Sequence, residues 1–235
     1  MSGQREPLYN KANIVKLLLI HSTTKNPKII TTNKDLKYAY GFGVPDYKKS
    51  IYDEEDEVSI LYCDIIKYSN KKHKIRFLLP KSLVNNPCEL IFTLVYNPPI
   101  DSNFPKIYNM ISLSSSIRFL LPSVDEATGE IIDEIIDSKP LWNWDNFQSN
   151  RYNVIQFKKK IKKVPSQSIE LLTQMSVFEE FEKNYLGTEA ENIFQSYALM
   201  LTIKDLEKKG ELREEISNSN QFHQLIENKI ELELG

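Results

Sequence analysis

Three histidines are the first candidates for chemistry, because an imidazole can act as a general base or as a metal ligand near neutral pH. They stand at His21, His73 and His223, in separate segments, with no carboxylate or cysteine at ligand spacing. A general base also needs a partner that orients it. The sequence therefore predicts no catalytic residue and no metal ligand. His21 is expected to contact the last carbonyl groups of a helix, and His73, in a basic turn, is expected to be solvated.

Two glycines, Gly41 and Gly43, flank Phe42 and suggest the phosphate-binding loop of a dinucleotide site. The third glycine of such a loop is missing, because Asp46 stands there, and no strand leads into the turn. No cofactor is expected. The acidic runs at 53–57 and 125–134 lack the spacing of a calcium loop, so we expect solvated surfaces there.

Two tryptophans, Trp142 and Trp144, are the residues best suited to binding a ligand. Their indole rings could form a small surface that stacks on a sugar or a peptide. Such rings also plug the end of a sandwich core, and this alternative stays open. The basic run Lys158–Lys163 has few aromatic neighbours for a nucleic-acid site. We expect it to protect the edge of a strand.

The composition is that of a folded protein, with 235 residues, 41% hydrophobic residues and a net charge of -2. This balance gives no general attraction to nucleic acid or to an anionic membrane. The cysteines, Cys63 and Cys88, are expected to be buried free thiols, because a disulfide framework or a zinc site needs more sulfurs or closer spacing. Neither a secretory signal nor a membrane span is visible, so the chain is expected to be cytoplasmic.

One helix precedes a long series of strands. Ile14, Leu17, Leu18 and His21 recur at helical spacing, and Asn13 can cap the first turn. A helix with this many apolar residues must be covered by other parts of the protein on more than one side. A second, short helix is expected at 45–50, where proline suits the first turn.

From Val58 onward the hydrophobic period is two, and it is clearest at Ile111–Leu121. This alternation predicts an antiparallel β-sandwich of jelly-roll type, with a barrel as the other possibility. We expect a helical segment at 1–53 and the sandwich at 54–235. The predicted strands cover 58–68, 73–79, 89–96, 111–121, 152–158, 168–176, 197–205 and 229–234, and the stretch 124–137 is predicted to be an exposed excursion.

The segment Asn13–Ser22, followed after a loop by Tyr40–Asp46, resembles the end of the catalytic domain of subtilisin-like serine peptidases (subtilases). In that family a helix ending in a small or polar residue precedes a Gly-Tyr-Gly-type turn. The continuation through Ser50–Tyr52, Val58–Asp64 and Leu94–Pro99 is similar to a bacterial subgroup of subtilases that carries a C-terminal β-sandwich.

The resemblance implies that the family's catalytic aspartate, histidine and serine precede residue 13 and are absent from these 235 residues. The chain would then be a non-catalytic sandwich that stabilises a peptidase domain or positions its substrate. The helix and turn would contact that catalytic domain, in cis or in trans, through Ile14, Leu17, Leu18, His21, Gly41, Phe42 and Gly43.

Two alternatives remain open at this point. The chain could be a stand-alone jelly-roll module that binds a carbohydrate or a peptide near Trp142 and Trp144. It could also be a subunit that docks in trans on a catalytic partner through its apolar helix, since an uncovered apolar patch usually marks a contact. Neither nucleic acid nor a membrane is an expected partner.

Overall fold

The computed structural model describes residues 9–25, 45–99, 110–124, 131–135, 142–144, 153–178, 183, 193–207, 212 and 215. The α-helices whose bounds lie within these ranges are α1 (Tyr9–Lys25) and α2 (Tyr47–Ile51). The same ranges contain nine strands. The strands are β1 (Glu57–Lys67), β2 (Lys72–Leu78), β3 (Cys88–Tyr96), β4 (Ile111–Val124), β5 (Ile131–Ile135), β6 (Trp142–Trp144), β7 (Val154–Ile161), β8 (Ser168–Val177) and β9 (Phe194–Asp205).

The strands form two antiparallel sheets that pack face to face. Sheet A has the order β1-β9-β3-β7. Sheet B has the order β2-β8-β4-β5, and β6 also pairs with β4. The predicted β-sandwich of jelly-roll type is therefore confirmed. Every pairing in the two sheets is antiparallel.

The core between the sheets comes from alternate residues of each strand, as the period of two requires. Phe92 and Leu94 of β3 and Leu199 of β9 face Leu113 and Leu171 of sheet B in one apolar cluster. Burying side chains of this size stabilises the fold by about 1.5–3 kcal/mol each.

Strand β3 is buried along its whole length, because α1 covers the outer face of sheet A. Leu17 of α1 packs there against Val95, Ala198 and Met200 in a second apolar cluster. This contact supplies the cover that the apolar helix was expected to need. On the opposite side of α1, Val15 and Leu19 are exposed.

Polar contacts also fix α1 to sheet A. Near its start, the Asn13 side chain accepts a hydrogen bond of 2.8 Å from Asn97. The Lys16 ammonium donates to the Tyr96 carbonyl at 3.4 Å, and burial lowers the pKa of this lysine. Near the other end, the Gln156 side chain donates to the Ile20 carbonyl at 3.0 Å. The helix is thus held by its own chain at both ends.

The short helix α2 begins at Tyr47, two residues later than the start predicted from Pro45. Asp46 is its N-cap, because the carboxylate accepts from the backbone N–H groups of Lys48 and Lys49. Its own N–H donates to the Ser22 hydroxyl of α1 at 3.1 Å. The helix therefore starts at Tyr47, and its cap is bound to α1.

Several strands depart from the prediction. The predicted exposed excursion at 124–137 contains the end of β4 and the whole of β5, which pairs with β4. Residues 142–144 form β6, although no strand was predicted there. The predicted strand at 229–234, His223 and the turn Gly41–Gly43 lie outside the described residues. The division at residue 53 stays a prediction.

Candidate functional site

A row of polar residues crosses the inner face of sheet B at one end of the sandwich. His73 on β2 pairs with Thr173 on β8, which pairs with Ser115 on β4. Trp144 on β6 is the next position in this row, as the partner of Ser115. Thr173 and Ser115 are buried, and their hydroxyl oxygens lie 3.4 Å apart. Ser115, which interrupts the apolar alternation of its strand, therefore has a polar neighbour in the core.

Sheet A places a matching row opposite. Asp64 on β1 pairs with Tyr197 on β9, and Tyr197 pairs with Tyr96 on β3. Both tyrosines are buried. The Tyr96 hydroxyl accepts from the Leu113 backbone N–H at 3.2 Å, which joins the two sheets. A polar layer thus lies inside an otherwise apolar sandwich.

At one edge this layer gathers four side chains, which we call the edge cluster: Tyr62, Asp64, His73 and Tyr197. The Tyr62 hydroxyl donates to Asp64 Oδ2 at 2.5 Å. His73 Nδ1 lies 3.1 Å from the Tyr197 hydroxyl and 3.8 Å from Asp64 Oδ2. The tyrosine rings also contact each other, with centroids 6.4 Å apart. The expectation that His73 is simply solvated is therefore wrong, since its ring is held between two sheets.

The electrostatics of the edge cluster keep its phenols protonated. Burial, and then the hydrogen bond to Asp64, raises the pKa of Tyr62. Burial, and then the nearby Tyr62 and Asp64, raises the pKa of Tyr197. A protonated phenol can both donate and accept a hydrogen bond, whereas an ionised carboxylate only accepts. The edge cluster consequently offers both kinds of group.

The edge cluster reaches solvent, because Tyr62, Asp64 and His73 are partly exposed. The side chains of Asp64 and His73 are 28% and 18% exposed, whereas Tyr197 is fully buried. Tyr68, in the turn after β1, has the ammonium of Lys71 at 3.7 Å from its ring centroid. A carboxylate, an imidazole and phenol groups thus meet where a ligand can approach them.

A second polar group lies on the other side of sheet A, beneath α1. His21 Nδ1 lies 2.9 Å from the Thr93 hydroxyl, and Nε2 lies 2.7 Å from the Thr202 hydroxyl. The Thr202 hydroxyl is 2.5 Å from that of Ser59, which donates to Asp53 Oδ1 at 2.6 Å. We call this series, from Asp53 to Thr93, the hydrogen-bond chain.

The direction of the hydrogen-bond chain follows from its acidic end. An ionised carboxylate can only accept hydrogen bonds, so the Ser59 hydroxyl donates its proton to the hydrogen bond with Asp53. The Thr202 hydroxyl must then donate to Ser59, and it accepts in turn from His21 Nε2–H. Nδ1 of His21 faces the Thr93 hydroxyl. The hydrogen-bond chain therefore places a proton on Nε2 of His21.

The hydrogen-bond chain contains a serine, a histidine and an aspartate, but it is not arranged for acyl transfer. In a catalytic triad the histidine lies between the nucleophile and the acid. Here Ser59 lies between Thr202 and Asp53, and both ring nitrogens of His21 face threonines. His21 is buried. Contact with the last helix carbonyls was expected, but the two ring nitrogens contact threonines of sheet A, and the role of His21 is to attach α1.

The other predicted contact residues fall into two groups. Leu17 is buried by sheet A, and Ile14 and Leu18 are partly buried beside it. These residues of α1 are covered by their own chain. Trp142 and Trp144 stand on β6, opposite the buried residues Ile117 and Ser115 of β4. Their role in binding stays a prediction.

The acidic run at 53–57 is less solvated than expected. Asp56 and Glu57 are buried, and both lie near the Lys204 ammonium, at 3.5 and 3.0 Å. Glu54 adds a third carboxylate at 3.1 Å. Burial lowers the pKa of Lys204, but its hydrogen bonds to Glu57 and Glu54 outweigh that effect and leave the pKa raised. Across the described ranges, no group of three or more His, Cys, Asp or Glu side chains is arranged to hold a metal ion.

Comparison with known proteins does not assign the chain to a family. No family model and no curated protein matches the chain. It is similar to the VP2 subviral particle of infectious bursal disease virus, with 13% identity over 67% of this chain and 35% of that chain, at a TM-score of 0.37. The chain therefore spans about a third of the length of VP2.

Two further solved structures show the same kind of distant likeness. A Yersinia pseudotuberculosis-derived mitogen is 9% identical over 65% of this chain and 89% of that one, at a TM-score of 0.26. The CBM22-1 xylan-binding domain of Paenibacillus barcinonensis Xyn10C is 8% identical over 64% and 85%, at a TM-score of 0.23. At these scores the likenesses carry no argument about function.

The expected relation to subtilases is wrong. No subtilase is found among the matches, which include viral capsid, mitogen and xylan-binding proteins. The helix that suggested the relation packs on the sandwich instead of ending a peptidase domain. Within the described part of the chain, no helix is long and apolar enough to cross a bilayer.

Proposed function

We propose that this chain is a β-sandwich binding module whose ligand is a carbohydrate, bound at the edge cluster. The observation that carries the proposal is the gathering of Tyr62, Asp64 and His73 at a solvent-reaching edge of an otherwise apolar sandwich. Sugar-binding sites combine a few directed polar groups with aromatic surface, since a sugar has both hydroxyl groups and apolar ring faces.

Each member of the edge cluster has a part in this proposal. Asp64 accepts hydrogen bonds from sugar hydroxyl groups, and His73 exchanges its contact with Tyr197 for one with the ligand. Tyr62 donates to Asp64 and so fixes the orientation of its carboxylate. Tyr197, buried beneath them, supports His73. The site is pre-organised, which reduces the entropy lost on binding.

The test is a titration with a panel of neutral oligosaccharides, followed by calorimetry and by NMR of the backbone amides. We expect a member of the panel to bind and to shift the amide signals of Asp64, Ile65 and His73. Asp64→Asn keeps the shape of the side chain but removes its charge, so it should weaken binding by about tenfold or more, the scale of one charge-assisted hydrogen bond.

Glu55→Gln is the matched control, because Glu55 is an exposed carboxylate outside the edge cluster. This variant should bind like the wild type. The proposal is overturned if no oligosaccharide of the panel shifts the signals of the edge cluster. It is also overturned if Asp64→Asn and Glu55→Gln bind the sugar equally well.

A further inference from the structure

The connection between β1 and β2 places a cation beside the edge cluster. Tyr68 and Lys71 lie in this connection, and the Lys71 ammonium is 3.7 Å from the centroid of the Tyr68 ring. Tyr68 packs against the apolar core between the sheets, and its backbone N–H donates to the Ile193 carbonyl at 2.9 Å. The Lys71 carbonyl accepts from the Met175 N–H at 2.8 Å. Both residues are therefore fixed by their backbones, and the lysine side chain ends over a fixed ring.

Lys71 lies on the same side of sheet B as His73. Residues two apart in a strand point to the same face, and their Cα atoms are about 6.8 Å apart. The hydrogen bond from Met175 extends the ladder between β2 and β8 to Lys71, so this rule holds there. Lys72, between the two, points to the opposite face and is exposed. The Lys71 side chain therefore starts about one sugar residue away from the His73 ring.

The segment that carries the edge cluster into β2 is strongly basic. Between positions 64 and 76 the chain has one acidic residue, Asp64, and five basic ones, which are Lys67, Lys71, Lys72, Lys74 and Arg76. The described contact of the Lys71 ammonium is with an uncharged ring. A cation–π contact at a partly exposed site is weaker than a hydrogen bond between an ammonium and an anion. An anionic group of a ligand can therefore draw the ammonium away from Tyr68.

We propose that the sugar bound at the edge cluster is acidic, and that its anionic group, a carboxylate or a sulfate, pairs with Lys71. This inference rests on the proposed function and adds the class of sugar to it. Asp64 and His73 contact hydroxyl groups of one sugar residue, and the anionic group lies on the Lys71 side, away from the Asp64 carboxylate, because like charges repel. When Lys71 turns to the ligand, it uncovers a face of the Tyr68 ring, on which the apolar face of a sugar can stack.

The test compares sugars that differ only in charge, by calorimetry and by NMR of the backbone amides of the full chain at low salt. The probes are trisaccharides of galacturonic, mannuronic and glucuronic acid, each paired with its methyl ester, which keeps every hydroxyl group and removes the charge. Sulfated galactose trisaccharides and their desulfated forms make a second arm, which distinguishes a sulfate from a carboxylate.

We expect at least one charged probe to bind about tenfold more tightly than its neutral form, the scale of one charge-assisted hydrogen bond. The preference should shrink with added salt, because Lys71 is partly exposed and salt screens its charge.

Three variants assign the preference to Lys71. Lys71→Met removes the ammonium and keeps an unbranched side chain over Tyr68, so the charged probe and its neutral form should bind equally. Lys71→Arg keeps the charge and should keep the preference. Lys72→Met is the matched control, because it makes the same change at the adjacent, exposed lysine on the opposite face. This control should bind like the wild type.

Two results would overturn the inference and leave the proposed function intact. One is binding of neutral oligosaccharides at the edge cluster with no gain from an anionic group. The other is an equal loss of the preference in Lys71→Met and Lys72→Met, which would show a general attraction to the basic segment and no contact with Lys71. If neither charged nor neutral sugars shift the amide signals of Asp64, Ile65 and His73, the proposed function fails, and this inference fails with it.

Discussion

The hydrogen-bond chain shows how single side chains decide the attachment of α1. A buried polar group without a partner costs about 1–3 kcal/mol, so a histidine beneath a helix is tolerated only when both ring nitrogens are satisfied. Thr93 and Thr202, from neighbouring strands of sheet A, satisfy the two nitrogens of His21. These two hydrogen bonds therefore favour the observed position of the helix on the sheet.

Thr202→Val tests this role, because it replaces a hydroxyl group by a methyl group of similar shape. His21 Nε2–H then loses its acceptor, and we expect the free energy of unfolding to fall by about 1–3 kcal/mol. Thr202→Ser is the control, since it keeps the hydroxyl and should lie closer to the wild type. Urea denaturation measures both variants. Equal stability of the two variants would show that the hydroxyl is dispensable.

The edge cluster predicts an alkaline loss of stability. Because the pKa values of Tyr62 and Tyr197 are raised in the folded state, their contribution is complete below the ordinary tyrosine pKa of about 10. Above that pH the unfolded chain deprotonates first, so stability falls, by about 1.4 kcal/mol per pH unit for each fully affected phenol.

Tyr197→Phe removes one of these phenols, and its stability should decline less steeply with pH between about 10 and 11.5. At neutral pH it should be less stable than the wild type by about 1 kcal/mol, because His73 loses a hydrogen bond. Urea unfolding across the pH series measures both effects. Tyr52→Phe, at an exposed position, should keep the wild-type slope. A wild-type slope in Tyr197→Phe would contradict the assignment.

Neither polar group could be predicted from the sequence, and the reason is sequence separation. His73 contacts Asp64 nearby in the chain, but it also contacts Tyr197, which is on a distant strand. His21 and Thr202 are still further apart in the sequence. Spacing along the chain shows such partners only after the register of the strands is known. Ser115 is the one signal of the polar layer that is visible in the sequence, because it is a polar residue on the apolar face of its strand.

At the scale of elements, α1 is the cover of sheet A. Leu17 lies fully buried against the outer face of the sheet, whereas Leu19, two residues later, is 43% exposed. Residues two apart on a helix face different directions. Two leucines of one helix therefore lie in different environments, one buried and one exposed. They form a matched pair for mutagenesis.

Leu17→Ala should lower the free energy of unfolding by about 2–5 kcal/mol, because it removes buried methyl groups and leaves a cavity. Leu19→Ala changes the same atoms at an exposed site and should cost less than about 0.5 kcal/mol. Chemical denaturation of both variants measures the difference. Similar losses in the two would mean that α1 does not pack on sheet A as described.

The elements were predictable where their periodicity was local. Alternation located β4 and the core strands to within a few residues, because each strand buries one face against the other sheet. It missed β5, where Asp133 and Glu134 interrupt the apolar residues of a strand that nonetheless pairs with β4. The apolar outer residues of sheet A, such as Val95 and Met200, made sense only once α1 was placed over them.

At the scale of the whole molecule, Cys88 reports on complete unfolding. Burial, followed by the charges of Asp205 and Glu89, raises the pKa of its thiol to about 12. Thiol reagents attack the thiolate, so Cys88 is unreactive while the sandwich is intact. Cys63 is only partly buried and needs to be removed from the measurement.

The variant Cys63→Ser leaves Cys88 as the thiol to be labelled. At neutral pH its alkylation should be slower than in concentrated guanidinium by about a hundredfold or more, since labelling must wait for opening of the core. The rate should rise with urea in parallel with the unfolded fraction. Fast labelling under native conditions would indicate that the β3 region opens locally.

The predicted β-sandwich architecture is confirmed, whereas the predicted relation to subtilases is wrong. Two sheets follow from the count and alternation of the strands, which the sequence carries directly. The relation to subtilases depended on a short helix and a few residues after it, and such segments recur in unrelated folds because the same local physics favours them. A short motif is informative about its own helix or turn, and less so about the protein around it.

Strand β9 has a consequence for how the protein is made. It lies between β1 and β3 in sheet A, yet it is the last described strand to leave the ribosome. Until β9 emerges, the backbone groups of β1 and β3 that will pair with it have no partner strand. Such strand edges are prone to pair with other chains. Because β1 and β9 are far apart in sequence, closure of sheet A is also slow. We therefore expect a nascent or prematurely ended chain lacking Phe194–Asp205 to be more prone to aggregation than a chain in which β9 has paired with β1 and β3.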